Sequence, residues 1–415
     1  MCESGIFCSC EPTVVHPVIV GMKADFHNLA FQLFMNGLRF RYLQLSGRPG
    51  RIQALSLEIT HRCVARCVMC NIWKIPNNVP DLAVSTWMDV LSSKYLSDLR
   101  ELDITGGEPF LRKDLVDFLR SVTALKARNL TKLRSVAITT NGLLTGAVIE
   151  GITALLSAMA GKNIDLVVVC ALDGVGDIHS RIRNVEDAWE RVDETIRGLS
   201  ALRKSHPGLV LGLKTTVLPF NVGELDRIAE YAASNSLFTI ISPCIITQGR
   251  YLNIDRAEDL RFTPEQVAQM IRFFRSEKFQ WSYHAEALAE YYEKGVMKKP
   301  CSCGFNYFFV RSTGDVLLCP LINRPVGNIG DAPVEEILNS REANRVRRQV
   351  GRLSPCRSCT EPGLERYALP YEGWAYLRLM RRKGRAKFLG LHAHMGLDKY
   401  VNDAAQSKGP LPPYP

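Results

Sequence analysis

The sequence predicts an α/β protein in which an open, partial barrel of six β/α units precedes a smaller α+β unit. Six β-rich runs alternate with helix-length segments from about residue 54 to about residue 250, and a cysteine-rich stretch follows. Strands joined by crossover helices imply a parallel sheet, and six units are too few for a closed eight-fold barrel. The 415 residues are sufficient for one large domain and one smaller domain.

The strands and helices of this fold can be assigned in chain order. Strands are predicted over 54–60, 101–105, 135–140, 165–172, 209–217 and 237–242. Helices are predicted over 115–126, 186–202 and 223–235, and a further one ends near Tyr292. Residues 306–318 predict two short strands around a Ser-Thr-Gly-Asp turn, and 334–348 predicts a helix.

Five segments follow from this assignment. They are a disordered extension over 1–21, a helical segment over 22–50, the barrel over 51–295, the cysteine-rich unit over 296–362 and a basic helical tail with a Pro-rich end over 363–415. Whether Met1 or Met22 is the start stays open. From Ala24 to Leu45, apolar residues including Leu29, Leu33, Phe34, Leu38 and Tyr42 recur at three- and four-residue steps, which predicts an amphipathic helix.

The composition is that of a soluble globular protein, with 46% hydrophobic and 23% charged residues. No run approaches the roughly 18 apolar residues of a membrane span, and no signal peptide precedes the fold, so we expect a cytoplasmic protein. Of the net charge of +10, residues 366–399 contribute +6, from eight Lys or Arg minus two Asp or Glu. The basic tail and the N-terminal helix, with Arg39 and Arg41, either contact an anionic membrane surface peripherally or pack on the barrel. DNA is not an expected partner.

Three cysteines follow the first predicted strand in the pattern CxxxCxxC: Cys63, Cys67 and Cys70. Clustered cysteines in a reducing compartment usually bind metal. An iron–sulfur cluster prefers a thiolate on each of its four irons, so three thiols leave one iron open for an exogenous ligand. The alternative is a structural zinc site, for which His61 is the nearby candidate for a fourth ligand.

This loop resembles the CxxxCxΦC loop of the radical S-adenosylmethionine (SAM) superfamily, and the resemblance extends over about residues 52 to 250. It implies a [4Fe–4S] cluster on the three cysteines, with SAM bound to the open iron. It also implies reductive cleavage of SAM to a 5′-deoxyadenosyl radical that abstracts hydrogen from a substrate. A reducing partner such as flavodoxin or ferredoxin is expected.

The same resemblance assigns SAM contacts further along the chain. Gly106-Gly107-Glu108-Pro109 matches the family motif whose backbone and carboxylate hold the SAM amino group, and Asn141 belongs to a matching Thr-Asn-Gly segment. Asp173 begins a run that ends at Arg183, the residue expected to pair with the SAM carboxylate by bidentate geometry. The serine that usually lies two residues before the aspartate is Ala171 here, which removes a hydroxyl from the expected site.

A second set of cysteines lies in the C-terminal unit: Cys301, Cys303, Cys319, Cys356 and Cys359. Their order resembles the auxiliary-cluster domains called SPASM and, in the shortened form, twitch. Because no cysteine follows Cys359, the resemblance implies one auxiliary [4Fe–4S] cluster with four of the five thiols as ligands, Cys301 and Cys303 competing for one position. A four-cysteine zinc site is the alternative. Cys170 and Cys244 are predicted to be small core residues.

The resemblance implies an oxidoreductase-type enzyme that carries out an oxidation, a cross-link or an epimerisation aided by the auxiliary cluster. We expect a small-molecule or lipid-linked substrate, because the 62 residues before Cys63 predict a helix rather than a peptide-binding domain. The alternatives are a peptide-modifying maturase, an RNA-modifying enzyme and an iron–sulfur electron carrier. The SAM-binding residues disfavour the carrier. No catalytic acid, base or radical donor can be named from the sequence.

Overall fold

The computed structural model describes residues 26–279, 282–362 and 365–392. The predicted extension over 1–21, Met22 and the Pro-rich end lie outside these residues. The strands are β1 (Ala54–Thr60), β2 (Glu101–Gly106), β3 (Ser135–Thr140), β4 (Asp165–Ala171), β5 (Leu209–Val217), β6 (Phe238–Pro243), β7 (Tyr307–Val310), β8 (Asp315–Leu317) and β9 (Gly327–Asn328).

The helices surround this sheet and cover its edge. They are α1 (Phe26–Ser46), α2 (Val84–Leu91), α3 (Leu115–Leu125), α4 (Thr145–Met159), α5 (Asp177–Arg183), α6 (Ala188–Arg203), α7 (Leu225–Ser234), α8 (Pro264–Arg275), α9 (Ser282–Lys294), α10 (Val334–Asn339), α11 (Arg341–Arg347), α12 (Glu365–Glu372), α13 (Trp374–Lys383) and α14 (Arg385–His392). No helix within the described ranges is long and apolar enough to cross a membrane.

The nine strands form one sheet in the order β6-β5-β4-β3-β2-β1-β7-β8-β9. Strands β1 to β6 are parallel and pair in sequence order, which confirms the predicted partial barrel. Strand β7 pairs parallel with β1, so that Ala54 lies opposite Tyr307, and β8 and β9 continue the sheet antiparallel. The C-terminal unit is therefore built directly onto the edge of the barrel sheet.

The barrel strands are buried on both faces, as parallel strands covered by helices are. All seven residues of β1 are buried, and Leu55 and Leu57 belong to a core that also contains Trp87 and Phe118 from the helices. Burial of both faces explains why these segments are near-continuous apolar runs. It also leaves the strand ends, rather than the strand faces, to carry polar residues.

Two predicted helices differ in detail from the structure. Helix α1 forms as expected, but Phe34 and Leu38 of the predicted buried stripe are exposed, while Leu29, Leu33 and Phe40 are buried. Its apolar residues occupy both sides of the helix, so their periodicity alone did not identify the packed side. The single helix predicted over 334–348 is divided into α10 and α11, because the Ser340 hydroxyl accepts a hydrogen bond from the backbone N–H of Ala343 and caps a new helix.

Candidate active site

An open cavity lies at the carboxyl ends of the parallel strands, with an empty volume of about 1070 Å³ that is partly open to solvent. Residues at the ends of β2 to β6 line it: Thr105, Thr140, Ala171, Thr216 and Pro243. The cysteine loop that follows β1 lines the same cavity. Loops from several strands converge at this edge of a (β/α) barrel, which is where such folds place their active sites.

The three cysteines of the first loop, Cys63, Cys67 and Cys70, all line the cavity. Backbone hydrogen bonds fix the loop to α5: Arg66 N–H donates to Arg183 O at 3.1 Å and Val68 N–H to Ile182 O at 3.0 Å. The Trp73 indole donates to the carbonyl of Cys70 at 2.9 Å. The loop is therefore held by main-chain contacts that leave its thiols facing the cavity.

The surroundings of these thiols fit an iron–sulfur cluster. Burial, and next the neighbouring Cys67, raises the pKa of Cys63 to about 11 and that of Cys70 to about 12. The free thiols thus stay neutral at neutral pH, and metal binding would have to release their protons. Two side chains donate to the sulfurs: Asn141 Nδ2 lies 3.7 Å from Cys63 Sγ, and Arg183 Nη1 lies 3.7 Å from Cys67 Sγ. Hydrogen bonds of this kind stabilise cluster thiolates.

The glycines of the GGEP segment line the cavity, but Glu108 and Pro109 do not. Gly106 has a φ of +146°, and a Cβ at that residue would overlap the carbonyl oxygen of Thr60. The close approach of two backbones therefore requires glycine. The GGEP segment therefore lies in contact with the start of the cysteine loop, so that the predicted SAM site and the predicted cluster site adjoin.

Glu108 is completely buried behind the cavity wall. Its carboxylate accepts hydrogen bonds from the N–H groups of Phe110 (3.1 Å) and Asn141 (2.7 Å) and from the Thr140 hydroxyl (2.9 and 3.0 Å). Burial raises the pKa of Glu108 to about 7. The side chain thus joins the GGEP turn to the end of β3.

Asp173 and Arg183 form a buried ion pair of 2.6 Å between Oδ2 and Nη2. Asp173 Oδ1 also accepts from the N–H of Thr216 at 2.8 Å. Arg183 lines the cavity whereas Asp173 does not. Asp173 therefore orients the guanidinium that was predicted to hold the SAM carboxylate.

The five C-terminal cysteines converge at the side of the barrel. Burial, and next the thiols of Cys301, Cys319 and Cys359, raises the pKa of Cys356 to about 11. The Cys303 thiol is hydrogen-bonded to those of Cys301 and Cys319. That interaction lowers the pKa of Cys301 to about 7. The five thiols thus lie in one group, which contains both Cys301 and Cys303.

Sequence reasoning missed several residues of the cavity wall: Glu58, Lys214, Arg250, Tyr251 and Glu361. Cys244, predicted to be a core residue, also lines the cavity, whereas Cys170 is buried as expected. Arg250 belongs to the loop after β6, and polar residues just beyond barrel strands are the signal that could have identified it.

Arg250 packs where the barrel meets the C-terminal unit. Its guanidinium is 5.6 Å from the ring centroid of Tyr251 and 5.7 Å from that of Phe309, a residue of β7. It makes a long hydrogen bond of 3.4 Å to the Thr105 hydroxyl. Burial opposes its charge, but Tyr251, Glu361 and Asp103 lie near enough to raise the pKa of Arg250 above its usual value. The protein's own acidic groups thus stabilise this cation, whose side chain lines the cavity.

Two family models match the chain. Residues 57–232 match the radical SAM superfamily, and residues 301–360 match the SPASM iron–sulfur cluster-binding domain. The first segment contains Cys63, Cys67 and Cys70, and the second contains all five C-terminal cysteines. The two matches therefore coincide with the two cysteine sets of the structure.

Among curated proteins, the chain resembles the PqqA peptide cyclase of Streptomyces rochei, with 25% identity over 331 residues that cover 75% of this chain and 82% of the relative. It also resembles the sporulation killing factor maturation protein SkfB of Bacillus subtilis, with 21% identity over 309 residues that cover 74% and 70% of the two chains.

Two solved structures share the fold. Streptococcus suis SuiB bound to precursor peptide SuiA has a TM-score of 0.52 at 14% identity and covers 72% of this chain and 67% of its own. Native anSMEcpe with bound AdoMet has a TM-score of 0.52 at 16% identity and covers 82% and 99%. The two family models, matched over the two cysteine sets, show that the chain contains a radical SAM domain followed by a SPASM iron–sulfur cluster-binding domain.

Proposed function

We propose that this enzyme modifies a peptide, and that it abstracts hydrogen in the cavity at the carboxyl ends of the barrel strands. The observation that carries the proposal is the similarity, over about three quarters of the chain and across both domains, to a peptide cyclase and a maturation protein. This similarity supports the alternative from the sequence and not the small-molecule or lipid-linked substrate that the sequence favoured. An internal cross-link is the outcome that the cyclase relatives favour.

The predicted cluster and SAM residues of the barrel have different roles in this proposal, according to whether they line the cavity. Cys63, Cys67 and Cys70 would hold the first cluster, and Gly106, Gly107, Asn141 and Arg183 would contact SAM, because their atoms reach the cavity. Glu108, Pro109 and Asp173 would act as supports from behind the wall. When bound, SAM and its cluster supply the radical that takes a hydrogen atom from the substrate, and the auxiliary cluster supplies an electron acceptor. The electron that starts the cycle would come from a flavodoxin or ferredoxin.

Cys301, Cys319, Cys356 and Cys359 would hold the auxiliary cluster, because Cys356 and Cys359 each lie close to Cys301 and Cys319. Arg250 would donate hydrogen bonds to the peptide, because its side chain lines the cavity. Glu58 also lines the cavity, and burial raises its pKa although Arg311 and Arg250 lie nearby. A carboxylate with a raised pKa is a stronger base, so Glu58 would be the residue that accepts a proton from substrate.

The test is an anaerobic reaction of the reconstituted enzyme with SAM, dithionite and a precursor peptide encoded beside its gene. We expect 5′-deoxyadenosine and a peptide that has lost two hydrogen atoms, both detected by mass spectrometry. Cys67→Ala should form neither product. If a small molecule or lipid were converted while every candidate peptide stayed unchanged, the proposal would be wrong.

A further inference from the structure

The outer side of α1 carries a continuous apolar stripe. Its residues recur every three or four positions and have exposed fractions of 44 to 82%: Phe31, Phe34, Met35, Leu38, Tyr42 and Leu45. The stripe extends over about 21 Å at 1.5 Å per residue. A helix that is apolar on both sides is normally buried on both, and contiguous exposed apolar surface marks an interaction site.

Helix α1 is fixed to the protein in a way that keeps this stripe outward. Leu29 and Leu33 pack in the core with residues of α13 and α14. Asn36 Nδ2 donates to the Pro370 carbonyl at 2.9 Å, and Arg41 pairs with Glu372 at 2.7 Å. The Trp374 indole donates to the Phe34 carbonyl at 3.1 Å. The stripe is therefore a rigid feature of the folded surface.

The charged residues of α1, α13 and α14 are all Lys or Arg. Helices α1, α13 and α14 contain no Asp or Glu, and they carry two, four and two Lys or Arg respectively, which gives eight cations. Glu372 of α12 and Glu286 of α9 pair with Arg41, Arg382 and Lys383. Arg39, Arg378, Arg381 and Lys387 have exposed side chains. This surface is complementary to an anionic partner.

We propose that this surface docks on an anionic lipid bilayer, with the stripe in the interfacial layer and the cations against lipid headgroups. Apolar residues on one side of a helix with Lys and Arg beside them are the features of helices that lie in the plane of a membrane interface. The stripe is a convex ridge, which a fluid bilayer accommodates, whereas a protein partner needs matching pockets. A second copy is disfavoured, because two-fold pairing of the same face would oppose two acid-free, basic surfaces.

The experiment is vesicle flotation of the full-length holoenzyme. Vesicles of phosphatidylglycerol and phosphatidylcholine in equal parts should capture the protein, and pure phosphatidylcholine vesicles should capture much less. Added salt should weaken the capture, because it screens surface charge.

The double variant Phe34→Gln/Leu38→Gln should reduce vesicle binding about tenfold or more, since it removes two apolar side chains that the bilayer would bury. Arg378→Gln/Arg381→Gln should lower binding to the anionic vesicles and flatten its salt dependence.

Phe220→Gln is the matched control, because Phe220 is 52% exposed on the barrel and not on α1. It should bind vesicles as the wild type does. The stripe variant should keep its SAM cleavage, since no stripe residue lines the cavity.

Absence of vesicle binding, or binding that the stripe variant retains, would overturn the proposal. A dimer that the stripe variant dissociates, without vesicle binding, would assign the face to a second copy instead. This inference does not depend on which substrate the enzyme modifies.

Discussion

Glu108 is a completely buried side chain that connects two segments of the candidate site. Its carboxylate joins the GGEP turn to Asn141, whose side chain in turn donates to Cys63 Sγ. The motif residue predicted to bind SAM thus positions the groups that face the cavity. A substitution at Glu108 should accordingly affect stability and SAM cleavage together.

Glu108→Gln should lower the free energy of unfolding of the apoprotein by about 1–3 kcal/mol, because an amide cannot accept from all the donors that surround it. It should also remove a pH dependence. Burial raises the pKa of Glu108 from 4.5 to about 7 in the folded state. The stability that this group contributes is therefore fully present below about pH 4.5 and is lost as the pH rises through about 7. Urea unfolding between about pH 5 and about pH 8 checks this, and equal pH slopes for the wild type and the variant would contradict it.

Cys301 and Cys303 should respond differently to replacement by alanine. The reconstituted wild type should carry about eight irons in two clusters. Cys301→Ala should lose up to about four of them, because Cys301 is close to Cys319, Cys356 and Cys359, whereas Cys303→Ala should keep about eight. Iron analysis and the electron paramagnetic resonance spectrum of the reduced protein measure the difference. The reverse result would make Cys303 the ligand.

At the scale of elements, α1 and α13 meet through a glycine. A Cβ at Gly37 would overlap the Trp374 ring, while a Cβ at Gly146, in the first turn of α4, would meet nothing within 4 Å. Both residues lie in helices, where alanine is intrinsically favoured over glycine by up to about 1 kcal/mol. Alanine substitutions at Gly37 and Gly146 therefore distinguish the effect of packing on stability from the effect of helix propensity.

Gly37→Ala should lower the free energy of unfolding by about 1–3 kcal/mol, because the added methyl group forces the Trp374 ring or the helix to move. Gly146→Ala should leave it unchanged or raise it by up to about 1 kcal/mol. Denaturant unfolding of the two variants measures both effects. A Gly37→Ala protein as stable as the wild type would mean that α13 does not pack against α1 as the structure has it.

At the scale of the whole molecule, the sequence predicted what local patterns encode. The six barrel strands were predicted to within one or two residues, because their apolar runs end at cysteine, glycine or polar residues that serve the cavity. The parallel pairing of Ala54 with Tyr307 was not predicted, since it joins segments about 250 residues apart in a four-residue strand. Arg250 was missed for a related reason: its surroundings come from β2, β7 and its own loop, and only the fold brings them together.

Arg250 joins the two domains at the cavity, because it lines the cavity and packs on Phe309 of β7. Arg250→Gln should raise the KM for a peptide substrate about tenfold or more, because hydrogen bonds from a charged donor to the substrate are lost. SAM cleavage without substrate should persist, since the residues proposed to contact SAM are unchanged. Arg250→Lys should recover part of the affinity, because lysine keeps the charge without the bidentate geometry.

Arg261→Gln is the control for this prediction, because Arg261 is exposed, pairs with Glu258 at 2.8 Å and does not line the cavity. Its KM should equal that of the wild type. Steady-state kinetics of peptide modification, with 5′-deoxyadenosine measured in parallel, separate a loss of substrate binding from a loss of radical formation. An unchanged KM in Arg250→Gln would show that Arg250 serves only the protein's own acidic groups and does not contact the substrate.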